Sequence, residues 1–229
     1  MRPKFSNLGW DAKPGESPLD GSLRASLIGF LGEMGDTDVS QEADRRFGQF
    51  LDNPNTLTGD LRAKVLRIVG RKANAATYAK LHELARKETS TEQKQSLYNA
   101  LAAAADQELA RQTLPISLTD ELVPRAASGL VLRVAEQHPQ LAWEFARANL
   151  AALMKKQSSI SSNDYVPRLF QNFSDASRAD ELEDFAAKSL PGDSLTMVAR
   201  AAEAIRHSAE IKPRLLKEIG TWCQSKVAP

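Results

Sequence analysis

The residues closest to a catalytic spacing are His82 and Glu83. A zinc-protease helix reads His-Glu-x-x-His, because residues four apart share one face and both imidazoles must reach the metal. Here the position four after His82 is Arg86, a cation that cannot ligate zinc. His82 is therefore expected on the surface of a solvated helix. His138 precedes Pro139 and reads as a helix-start residue, and His207 has no metal-spaced partner. These three histidines and Cys223 form no ligand set. Neither GxxxxGK[ST] nor GxGxxG occurs, so no phosphate-cradling loop is encoded. Ser128-Gly129 lacks the preceding glycine of a G-x-S-x-G nucleophile elbow. Asp180, Glu181, Glu183 and Asp184 crowd one stretch and read as a solvated helix face. No catalytic and no metal-binding residue is assigned.

Charge carries more information. From Asp60 to Lys94 there are nine basic residues against four acidic ones, a local net of +5. Lys64, Arg67 and Arg71 recur at i, i+3 and i+7, a basic stripe flanking apolar Leu61, Val65 and Ile68. From Asp175 to Asp193 six acids oppose two bases, a local net of −4. The plain reading of both is a solvated outer face. The functional alternative is that Lys64, Arg67 and Arg71 line a concave surface and attract the C-terminal carboxylate of a peptide. Nucleic acid is a poor fit, because the whole chain carries a net charge of only +1.

These side chains need helices to position them. The 229 residues are alanine-rich, 42% hydrophobic and only 6% aromatic, which favours helix-on-helix packing over sheets. From Ser17 on, almost every segment has a helical apolar period with a punctuated end. Ser17, Asp38 or Ser40, Asn74, Ser90, Asp106 and Thr119 or Asp120 are candidate caps, and Pro18 and Pro139 fit first turns. Pro115 ends a short helix, and Pro124 fits only if a helix begins near it. Further helices are expected around 164–173, 178–188, 194–209 and 212–224. No strand or hairpin signal occurs. Eleven or twelve helices in pairs, starting every 30 to 45 residues, predict an all-α superhelix of the HEAT or armadillo kind. It is expected as a single domain over 1–229, with a serine-rich loop at 157–163. Trp10, Trp143 and Trp222 are expected in the core, and Cys223 as a buried thiol. No apolar run of about 18 residues is present and the first ten residues are polar. No membrane contact and a cytoplasmic location are therefore expected.

Three short motifs carry a resemblance. They are Leu8-Gly9-Trp10 with Glu16, Leu23 and Arg24; Ala43-Asp44-Arg45-Arg46-Phe47; and Leu141-Ala142-Trp143-Glu144-Phe145. In this order they resemble the C-terminal helical domain of zinc aminopeptidases of the puromycin-sensitive and endoplasmic-reticulum aminopeptidase family. The resemblance implies a fragment of a larger enzyme, its zinc and exopeptidase motifs lying in an earlier domain and no cofactor in this chain. It implies a non-catalytic part that closes the active-site chamber and shapes peptide selectivity, with the catalytic domain of the same polypeptide and peptide substrates as partners. Met1 is then an internal start, and Arg2–Asn7 is too short to cover the first hairpin. The alternative is a stand-alone α-solenoid adaptor that binds a protein or peptide in its groove.

Overall fold

The computed structural model describes residues 1–57, 59–157 and 159–227, with the backbone alone at 159–161 and 226–227. Among the described residues thirteen α-helices and three short 3-10 turns follow one another, and no strand occurs. The all-α reading holds. Contacts divide the chain into two compact units, Met1–Ile116 and Ser117–Pro229.

The first unit holds α1 (Arg2–Leu8), α2 (Pro18–Glu33), α3 (Thr37–Asp52), α4 (Gly59–Arg71), α5 (Ala75–Lys87), α6 (Thr91–Ala102) and α7 (Gln107–Thr113). Its caps are local and legible. Ser17 accepts from the Leu19 amide at 3.2 Å, Asn74 from Thr77 at 2.9 Å and Asp106 from Glu108 at 2.8 Å. Ser90 faces the Gln93 amide at 3.5 Å. The cap of α3 is Asp36, not Asp38 or Ser40; its Oδ1 accepts from the Val39 amide at 3.1 Å. Gly35, at φ +76°, turns the chain so that the helix is capped two residues before Asp38. Within one layer α4 packs between α2 and α6, while α3 packs on α4 and α5 on α6. Ile28, Val65, Leu66, Leu81, Leu97 and Leu101 fill the interior. The α4–α6 approach needs Gly70, because a Cβ there would overlap the Ala100 carbonyl oxygen.

The second unit holds α8 (Pro124–Ala135), α9 (Pro139–Ala148), α10 (Leu150–Met154), α11 (Ser159–Phe170), α12 (Ser177–Ser189) and α13 (Leu195–Val227). The helix expected from Thr119 or Asp120 begins at Pro124 instead. A proline lacks the N–H that an interior position must donate, so it takes the first turn. Of the loop expected at 157–163, residues 159–163 belong to α11, and Ser158 lies outside the described residues. The buried Tyr165, Val166, Leu169 and Phe170 give α11 a face to anchor, and tertiary packing outweighs serine's modest helix propensity. The two helices expected over 194–209 and 212–224 are one, α13, running through Pro213. Cys223 is exposed, contrary to the buried thiol expected, because it sits on the uncovered end of α13. Trp222 is exposed there too, at 61%, Trp10 is half-buried, and Trp143 alone of the three is fully buried.

Candidate functional site

The stripe predicted from charge lies on α4, and the structure shows what each member touches. Lys64 is half-buried, with its Cδ 3.1 Å from where a Cβ on Gly29 would stand, so its stem lies across α2. Arg67 Nε donates to Glu33 Oε1 at 3.0 Å, again on α2. Arg71 ends α4, where a cation complements the helix dipole, and its carbonyl accepts from the Ala105 amide at 2.8 Å. The three thus share one helix, and two of them serve the α2–α4 packing. Other members of the basic segment are also engaged. Arg62 stacks 4.6 Å over Phe50 and reaches Gln93 on α6, Lys72 bonds Asp44, and Lys87 bonds Glu83. Among the described residues Lys64, Arg71, Arg86 and Lys94 make no ion pair.

His82 is not the solvated surface histidine expected. It is half-buried, edge-on to Tyr78 at 6.3 Å and Tyr98 at 6.0 Å, because α5 turns this face toward α6. His138 stands at the N-cap of α9, and His207 is exposed on α13. The acidic stretch of α12 is likewise more than a solvated face. Asp180 and Glu183 both hold Arg206 of α13 at 2.6 Å, and Glu181 accepts from Trp143.

A cluster that charge counting missed surrounds Trp10. Gly9 adopts φ +70° and ψ −168°, a conformation open essentially to glycine alone. Its carbonyl accepts from Arg24 Nε at 3.1 Å, while the two Nη atoms of Arg24 fork onto Glu16. That guanidinium, bonded to the carboxylate, holds Glu16 below the usual range and raises Arg24 in turn. Arg46 stacks 5.0 Å over Trp10 and binds both oxygens of Asp11 at 2.8 Å, which lowers the Asp11 carboxyl. Trp10, Asp11, Arg24, Arg46, Asp60 and neighbouring small residues line a cleft of about 450 Å³. The Arg46–Asp11 and Arg24–Glu16 pairs tie its walls together and make them rigid. The Glu16–Arg24 spacing was the signal in the sequence.

Among the described residues no group of three or more His, Cys, Asp or Glu side chains is placed to hold a metal ion. Nor, among them, is any helix long and apolar enough to cross a membrane.

Comparison with known proteins agrees with the motifs. A family model described as "ERAP1-like C-terminal domain" matches residues 1–207. Aminopeptidase M1-D of Oryza sativa subsp. japonica is 28% identical over 226 residues, which are 92% of this chain and 26% of the relative. Aminopeptidase M1 of Arabidopsis thaliana is 27% identical over 197 residues, covering 83% of this chain and 22% of the relative. Human endoplasmic reticulum aminopeptidase 2 is 23% identical over 232 residues, covering 97% and 24%. The chain therefore spans about a quarter of the length of these relatives. The match spans the Gly9–Glu16–Arg24 lock and the buried Trp143, and this chain belongs to the ERAP1-like C-terminal domain family.

Proposed function

We propose that the chain serves a zinc-dependent aminopeptidase as its non-catalytic C-terminal domain, closing the chamber in which peptides are cut and helping to select them. The observation that carries this reading is the family match over residues 1–207, with relatives that are aminopeptidases about four times as long. Zinc would be held by the catalytic domain of the same polypeptide. The location proposed is the cytoplasm.

Within this role Lys64, Arg67 and Arg71 are the proposed contacts for a peptide's C-terminal carboxylate. Arg71 is the strongest of the three. It is half-buried and makes no ion pair among the described residues, whereas Arg67 already faces Glu33. A guanidinium offers a carboxylate two parallel donors.

The test is zinc-dependent hydrolysis of aminoacyl-arylamides by this chain alone and by the polypeptide that includes the upstream reading frame. Activity in the longer form alone, lost or re-specified when residues 1–229 are deleted, is the expected result. Inactivity of both forms overturns the reading and leaves a solenoid adaptor. In the active form, Arg71→Glu should raise KM about tenfold for peptides with a free C-terminus. It should leave KM unchanged for C-terminally amidated peptides.

A further inference from the structure

Among the described residues nothing covers the apolar face of the last four turns of α13. Val198, Ala202 and Ile205 are buried where α13 packs on α11 and α12. Helical periodicity carries that same face on to Leu216, Ile219 and Cys223, with Leu215 and Trp222 widening it. The packing stops near Lys212, whose Nζ reaches Ser174 at 2.8 Å. From Lys212 to Ser225 every residue is exposed, with Leu216 at 61% and Ile219 at 55%. A core stripe therefore runs past the elements that cover it. An aromatic side chain set among aliphatic ones is the composition of an interface centre.

We propose that this end of α13 docks onto a segment of the same polypeptide outside residues 1–229, one with an apolar centre and an acidic rim. The inference rests on the aminopeptidase reading, since the relatives place about three-quarters of their length outside the matched region. The acidic rim follows from charge: between Glu210 and Lys226 four basic residues stand against two acidic ones. A second copy of the chain would set two such cationic helices side by side. A tethered segment meets no such repulsion and acts at an effective concentration in the millimolar range.

Cys223 lies on the face and reports its state. Its alkylation is followed by mass spectrometry of the Cys223-containing peptide, in the isolated chain and in the polypeptide that includes the upstream frame. The expected result is at least a tenfold slower reaction in the longer form, restored by Leu216→Asp combined with Ile219→Asp. Both residues are exposed in the unit itself, so unchanged circular dichroism is expected of that variant. Equal rates in the two forms overturn the proposal. So does protection that appears in the isolated chain and grows with its concentration, which would identify a second copy. Arylamide hydrolysis by the same longer polypeptide is read separately. Protection without hydrolysis keeps the docking and removes the aminopeptidase reading, and hydrolysis without protection does the reverse.

Discussion

Trp143 on α9 and Glu181 on α12 meet at 2.7 Å, the indole Nε1 donating to the carboxylate Oε1. Phe170 of α11 and Phe185 of α12 stand edge-on to the same indole, 4.7 and 4.9 Å from it. The Leu-Ala-Trp-x-Phe stretch thus marks the point where three helices share one aromatic anchor. Burial pushes the Glu181 carboxyl up, but the donors Trp143 and Arg178 more than offset it and leave it below the ordinary value.

Trp143→Ala is expected to destabilise the second unit by about 3–5 kcal/mol, the cost of emptying a buried aromatic site. Glu181→Gln keeps an acceptor for the indole and should cost about 1 kcal/mol. Urea unfolding followed by circular dichroism checks both. Equal losses would show that the hydrogen bond, not the aromatic packing, dominates.

Asp36 offers a pH test. Arg2 on α1 forks onto it and the Val39 amide donates to it, so its carboxyl falls from 3.8 to about 2. A depressed carboxylate contributes stability fully above its unfolded value and loses it as pH falls through the folded one. The Val39 amide resonance should therefore move between pH 4 and 2, as the α3 cap and the α1 tether are released together. Because Arg2 is exposed, 1 M salt should weaken the tether at neutral pH as well.

Two glycines predict opposite signs for one substitution. At Gly70 a Cβ would overlap the Ala100 carbonyl oxygen and sit 2.6 Å from its carbon, and backbone cannot yield as a side chain can. Gly70→Ala should part α4 from α6 at a cost of about 3 kcal/mol. At Gly48, exposed within α3, nothing lies within 4 Å of the added methyl. Gly48→Ala should stabilise by up to about 1 kcal/mol through helix propensity. Thermal unfolding of the two variants settles the comparison.

What the sequence made legible was local. Ser17, Asn74, Ser90 and Asp106 cap the helices expected of them because a cap is a contact within three residues. Pro124 and Pro139 open helices for the same reason. What escaped depends on distant partners. Lys64 and Arg67 read as a free stripe until α2 is placed against α4, and His82 read as solvated until α6 is placed against α5. Residues 194–209 and 212–224 read as two helices, yet the one amide that Pro213 lacks removes one hydrogen bond without ending α13. Cys223 and Trp222 read as core, since their apolar period is real although no described element covers that end of α13.

The Gly9–Glu16–Arg24 lock yields the last prediction. Arg24 is buried, and it joins the glycine carbonyl, through Nε, to the Glu16 carboxylate, through both Nη atoms. Lysine keeps the charge but is a point donor without the planar fork, so it cannot serve both acceptors in this geometry. Arg24→Lys should therefore lower the thermal midpoint of the first unit nearly as much as Arg24→Ala, leaving the Gly9 carbonyl without its donor. Arg45, exposed and paired with Glu42 one turn away, is the control. Arg45→Lys should change the midpoint by less than about 1 °C, since a surface pair of this kind contributes little. Full rescue of Arg24 by lysine would mean that charge alone, and not the fork, holds the Leu8-Gly9-Trp10 turn against α2.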